Sequence, residues 1–286
     1  MYFLKELLKK ENIQVIKAVF KVNWLYTIRY KGWFLFAIIF PLIMATLPIL
    51  VGTAVAGSPQ KAAENFMRNV GTENYQLFSL IGSAVWILAI VILWDFGLWI
   101  RQEQQLGTLE QNLLTPTNIF VILVGVSLFG LSQAAIQFAA TLIVGGIIFN
   151  VLYQILTPTM LLSIFIIVVG LIPMYGLSFV IGSIVIKYKE ANSIISMLQI
   201  FFAFIMGIFY PVTLFPFYLR IIAYLLPLTI PLQDARAVLL NTQVVIDIWI
   251  DLSIIVIFSI IWPILGYFMF LKVEEMLKKG EGVGGY

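Results

Sequence analysis

Apolar positions dominate this chain, and the places where they are interrupted divide it into elements. Ile13, Ile16, Phe20 and Trp24 recur at helical spacing while Lys17, Lys21 and Arg29 break up the remainder. Residues 13–30 therefore read as an amphipathic helix lying in a membrane surface rather than crossing it. Its aromatic rings suit headgroup depth, and its lysines reach anionic lipid. Residues 32–56 carry no charge and, at about 1.5 Å per residue, are long enough to cross roughly 30 Å of hydrocarbon as a first span. Residues 57–79 are polar and predict a loop too short to be a folded domain; residues 80–100 predict a second span, with Asp95 close to its end. The polar island Arg101 to Pro116, RQEQQLGTLEQNLLTP, follows.

No charged residue occurs from 111 to 186, which is too long for one helix and predicts a hairpin of two spans, 119–149 and 159–186, turning between Asn150 and Pro158. Small residues at packing intervals, Ser132, Ala135 and Ala139 in one and Gly176, Ser178 and Gly182 in the other, suit close helix contact. A fifth span is predicted over 192–210. Pro211, Pro216, Pro227 and Pro231 then interrupt the pattern too often for a full crossing, so residues 211–240 predict a re-entrant helical hairpin. The sixth span, 252–271, begins after Asp247 and Asp251, whose charges suit a helix N-terminus.

Composition turns this pattern into a class. With 62% hydrophobic and 11% charged residues and a mean hydropathy of +1.03, the chain is predicted to be an all-α integral membrane protein with six transmembrane helices in a single domain, 1–286. Cysteine and histidine are absent, which removes thiolate and imidazole chemistry and the usual zinc sites. No Gly-Lys dipeptide is present, so no phosphate-binding loop is predicted. The chain reads as a non-enzyme that binds no cofactor or metal of its own and takes no nucleic acid. Its first ten residues predict no cleavable signal peptide. Thirteen of its Lys and Arg residues fall on the side of the N-terminus, the island and the tail, against four on the other side. The positive-inside rule then predicts a plasma-membrane protein with both termini and the island in the cytoplasm.

Within the island, Leu106, Leu109 and Leu113 recur at i, i+3, i+7, which predicts a short amphipathic helix with an apolar docking face. Gly107 relaxes its middle, and Thr115-Pro116 ends it. Asp95 is an ionisable group inside a span and hence a candidate for a substrate or gating role. Phe209, Tyr210, Phe215, Phe217 and Tyr218 are candidates for a translocation path, because broken backbone at membrane depth must be covered by protein. Arg220 and Arg236 are expected to pair with Asp234, Asp247 or lipid phosphates.

The string E-Q-Q-L-G-T-L-E-Q-N-L-L-T-P resembles the hallmark of ABC-2 type transporter permeases: an acidic residue, then G-T-L-E, two leucines and T-P, between spans two and three. Pro227 and Arg236 resemble the family's C-terminal signature, with Ile230 standing where a polar or aromatic residue is more usual. The resemblance implies that residues 101–116 are a coupling helix docking on a separately encoded ABC ATPase subunit. Glu103, Leu106, Gly107, Thr108, Leu109, Glu110, Leu113, Leu114, Thr115 and Pro116 would carry the contact. It further implies ATP and Mg on that partner, a second permease subunit completing an exporter as homodimer or heterodimer, and surrounding lipid. The alternative is an ion-coupled carrier or channel, which needs several polar groups at mid-membrane depth; the predicted spans hold almost none.

Overall fold

A computed structural model describes residues 9–187 and 191–278 as an all-helical bundle. The first helix, α1 (Lys10–Arg29), buries none of its residues fully and lies along a later helix, α6 (Ile119–Ile148). Gly125 of α6 permits this approach: a Cβ there would come within 2.9 Å of Val19 and 3.2 Å of the Ile16 carbonyl oxygen. Phe20 and Trp24 meet Phe129 edge-on at 6.3 and 5.7 Å. Helix α2 (Lys31–Ala56) contains Pro41 and Pro48 and stops at Gly57, whose φ of +81° is left-handed.

The polar stretch after it is more ordered than its composition predicts. Ser58 accepts a hydrogen bond from the Lys61 amide at 3.2 Å, Pro59 occupies the first helical position, and α3 (Pro59–Val70) runs to Gly71 at φ +83°. Its apolar side, Ala62 and Phe66, rests on Tyr75, with Phe66 5.1 Å from the Phe78 ring. An amphipathic helix thus replaces the expected loop.

Helix α4 (Tyr75–Leu106) is the centre of the bundle. Of its apolar window Tyr75–Trp94, 83% is buried, against 17% for the corresponding windows of α2 and of the last helix. It begins before and ends after the expected 80–100, because Arg101 to Leu106 are good helix formers that simply extend it. After α5 (Leu109–Leu114), α6 and α8 (Thr159–Lys187) form the charge-free hairpin, joined by the short turn α7 (Leu152–Ile155). Asn118 caps α6 by accepting from the Phe120 amide at 2.8 Å, and Asn74 donates to Gln154 to tie the hairpin turn to the start of α4.

The expected fifth span, 192–210, is α9 (Ala191–Ile205), which stops at Gly207 with φ +69°. At about 1.5 Å per residue, its described length is shorter than the ~30 Å hydrocarbon core. The apolar run continues past the point where the backbone turns, which is why its sequence reads longer. A 3-10 turn (Val212–Leu214) leads to α10 (Phe217–Leu225) and α11 (Thr229–Leu240), bent from one another by 97°. The prolines tolerate this because Pro216 precedes α10 and Pro231 lies in the first turn of α11, where few amide donors are needed. The last helix, α12 (Ile248–Lys278), starts before and ends after the expected 252–271. Among the described residues, five helices (α2, α4, α6, α8 and α12) are long and apolar enough to cross a membrane, or six if the bent pair counts as one span.

Candidate functional site

Of the left-handed glycines, two beyond Gly57 and Gly71 mark the turns that hold the candidate residues. The first is Gly107, at φ +69°, between α4 and α5. A Cβ there would meet nothing within 4 Å, so glycine serves the backbone angle and not a close approach. The Thr108 amide bonds back to the Glu103 carbonyl at 3.0 Å, closing the end of α4. The Glu103 carboxylate spans the turn, accepting from Thr108 Oγ1 at 2.5 Å and from Asn112 Nδ2 at 2.8 Å. Leu109 enters a small cluster of Ile100, Ile119, Leu123, Phe270 and Val273 and is only 1% exposed. Thr115 closes α5 by donating from Oγ1 to the Asn112 carbonyl at 2.7 Å.

This geometry corrects the expected continuous helix over 101–116. Residues 101–106 are the last turns of α4, and the separate helix is α5. Gly107 turns the chain between Leu106 and Leu109, so the two leucines do not share a face. Leu109 points into the bundle, while Leu106 and Leu114 are 73% and 86% exposed. Thr115 and Pro116 are exposed as well. The side chains of Glu110, Leu113 and Asp95 lie outside the described residues.

The second glycine is Gly207, also at φ +69°, at the end of α9. Here space is tight: a Cβ would come within 2.4 Å of Val212, 2.8 Å of Gln233 and 3.0 Å of the Tyr210 carbonyl oxygen. The turn frees carbonyls that no helix satisfies, and Arg236 of α11 satisfies them. Its Nη1 donates to the Gly207 carbonyl at 2.7 Å and its Nη2 to that of Ile208 at 2.5 Å. Arg236 is 1% exposed, and its guanidinium lies 3.6 Å over the Phe78 ring of α4. Gly82, one turn further along α4, makes room: a Cβ there would come within 2.0 Å of both Arg236 Nη2 and the Ile208 oxygen. Arg236 thus fastens α9, α11 and α4 at one point. Ser163 of α8 donates to the Ala235 carbonyl at 2.9 Å, and Pro231 fills the space opposite Gly170. The hairpin is seated on α8 as well.

Both arginines hold backbone carbonyls, where pairing with Asp234 or Asp247 was the expectation. Arg220 donates from Nη2 to Thr213 and Phe215 at 2.7 and 3.1 Å. Asp234 and Asp251, both fully buried, accept from the successive amides of Val245 and Ile246 at 3.2 and 3.0 Å and so pin the link into α12. Asp247 accepts from the Trp249 amide at 3.0 Å at the start of α12. Sequence reasoning singled out Arg236 without its role; its partners lie 28 and 29 residues away and leave no local signal.

The aromatic candidates do not gather around one cavity. Phe209 packs partly buried against the core, whereas Tyr210, Phe217 and Tyr218 are 41%, 69% and 79% exposed, and Phe215 is half-buried. The broken backbone is covered by Arg236, Gln233 and α4, which leaves those rings on the surface. Among the described residues no three acidic, His or Cys side chains group as metal ligands.

No curated protein matches the chain. A sequence model of the ABC-2 type transporter family, however, matches residues 14–240, a stretch that runs from α1 through the Gly107 turn to the end of α11. With its several apolar helices this multi-pass membrane protein belongs to the ABC-2 type transporter family, as a permease of an ABC-type transporter.

Proposed function

We propose that the chain is the membrane subunit of an ATP-driven exporter and that α5, with the end of α4, is where a separately encoded ATPase subunit engages it. The observation that carries this reading is the contrast within the Gly107 elbow: Leu109 and Glu103 fix it to the bundle, while Leu106 and Leu114 stand exposed on either side. Two large apolar side chains presented on a braced turn make a docking face. The elbow passes directly into α4 and, across Asn118, into α6, so displacement there moves two core helices. The positive-inside asymmetry supports an elbow and termini in the cytoplasm, with a plasma-membrane location. Two permease subunits would form the path, with Asp95 and the rings of Phe209, Tyr210, Phe215, Phe217 and Tyr218 as its residues to test. ATP and Mg would be held by the ATPase, with none bound here.

Copurification of an ABC ATPase with this chain from its own membranes tests the assignment. Leu106→Asp with Leu114→Asp is expected to abolish complex formation and ATP-dependent transport while leaving the amount of folded permease unchanged, since both side chains are exposed. Retained complex and transport in that variant, or transport driven by an ion gradient without any ATPase, would overturn it.

A further inference from the structure

Helices α6, α8 and α12 leave between them a cleft of about 490 Å³. Phe120 of α6, Tyr175 and Phe179 of α8, and Pro263, Ile264 and Phe268 of α12 line it. Its origin is a close crossing beside large rings. A Cβ on Gly176 would come within 2.2 Å of the Trp262 carbonyl carbon, and one on Gly266 within 2.5 Å of the Gly176 oxygen. The backbones of α8 and α12 therefore touch at glycine, while Phe179 and Phe268 flank the contact and leave a gap too wide for the helices to close. Phe120 and Phe179 stack across one side at 5.5 Å and 14°.

The surroundings specify what fills this gap. Ile264 and Phe268 are 49% and 60% exposed and belong to the candidate span Ile248–Val273, so the mouth faces hydrocarbon. Water finds too few polar partners there, and an unfilled gap forfeits the dispersion contacts of its walls. The cleft is about three times the roughly 150 Å³ of an apolar cavity that stays dry and takes up benzene. Phe120 is the second residue of α6, directly after the elbow, so the cleft lies at the elbow's end of the bundle. Lys272, exposed and four residues beyond Phe268 on the same side of α12, sits about 6 Å further toward that end by helix rise.

We propose that this cleft seats one acyl chain of a phospholipid from the leaflet on the elbow's side, with the lipid phosphate at Lys272. The chain lies against Phe120 and Phe179. Both contact Phe270 at 5.9 Å, and Phe270 is part of the socket that holds Leu109. Lipid occupancy and the bracing of the elbow thus share one wall.

The test is photolabelling of the full chain in nanodiscs of phosphatidylglycerol and phosphatidylethanolamine in which a fraction of the phosphatidylglycerol carries a mid-chain diazirine. Adducts are expected to concentrate on Tyr175, Tyr267 and Phe268 relative to Ile257 and Ile260 on the same helix. Ile264→Trp, which fills the cleft from an exposed position, should reduce cleft adducts about tenfold, the effect of displacing about two methylene contacts. Ile257→Trp, outside the cleft, should not. Lys272→Glu should reduce cleft labelling by the phosphatidylglycerol probe at least about fivefold, the worth of one lysine near an anionic surface. Equal labelling along α12, or cleft adducts unchanged in Ile264→Trp, would overturn the proposal. So would a second copy covering the cleft. Because the chain has no native cysteine, Phe268→Cys reports that directly, as an oxidative cross-link between copies in place of lipid adducts. Thermal unfolding of each variant establishes that the fold is retained.

Discussion

Gly107 and Gly207 have the same backbone angle, φ +69°, and opposite surroundings. Around Gly107 a Cβ would meet nothing; around Gly207 it would meet a side chain, an amide and a carbonyl. The elbow is held by one buried leucine and one carboxylate, and Leu106, Leu114, Thr115 and Pro116 stand exposed. The Arg236 hub is fixed from four directions, by α4, α8, α9 and the remainder of α11. A chain bend thus has two uses in this protein. Under the proposed function one would be a handle for the ATPase subunit, and the other a fixed point against which movement of the handle would be transmitted.

The largest effect should come from forcing the tighter turn. Gly207→Ala adds a Cβ in a left-handed conformation, which costs about 1–2 kcal/mol by itself, and drives it against Val212 and Gln233 as well. Thermal unfolding in detergent should show a loss well beyond that of Gly107→Ala. Equal losses would break the comparison, since they would mean that strain alone governs both sites.

Arg236→Ala comes next. It leaves the Ile208 carbonyl buried and unpaired, at about 1–3 kcal/mol, leaves the Gly207 carbonyl only the longer bond from Gln233 Nε2 at 3.4 Å, and opens a cavity over Phe78. Arg236→Lys retains one charge but loses the fork that reaches two carbonyls, so it should recover part of the stability and not all of it. Full recovery with lysine would show that charge, and not the two-pronged bond, secures the hub.

How much of this was legible in the sequence follows from the range of each interaction. The elbow and the hairpin announced themselves through local contrast: a polar string between apolar runs, then four prolines close together. Helix α3 was also written locally, in Ser58-Pro59, in Ala62 and Phe66 four apart, and in Gly71, but its polarity reads first as a loop. The end of α9 was hidden because apolar residues continue on both sides of Gly207, and periodicity carries no information about φ. For the same reason the leucine spacing in the island placed Leu106 and Leu109 on one face. Arg236 was visible as a charge, while the carbonyls it binds exist only because another helix breaks.

Gly107→Ala isolates the handle. With no neighbour for the new methyl group, the cost should be the backbone term alone, about 1–2 kcal/mol, and confined to the elbow. Hydrogen exchange should accordingly quicken in α5 and leave α4 around Gly82 unchanged. Exchange quickening equally at Gly82 would show that elbow and hub unfold as one unit and do not differ in kind.

The smallest effect, and the sharpest test of how the elbow is braced, is Glu103→Gln. The amide oxygen can still accept from Thr108 and Asn112, so the geometry survives, but two charge-assisted bonds become neutral ones. At this partly exposed position the loss should be about 0.5–1 kcal/mol, near the limit of a thermal unfolding measurement on the whole chain. A double-mutant cycle with Asn112→Ala resolves it. If Glu103 acts through Asn112, Glu103→Gln should cost measurably less in the Asn112→Ala background than alone. Additive effects would leave the carboxylate acting only through Thr108, as a cap on the end of α4, and assign the hold on α5 to Leu109 and its socket. The handle would then be fixed only by its hydrophobic pin, and a partner pressing on Leu106 and Leu114 would move α5 about Leu109 before it moved α4.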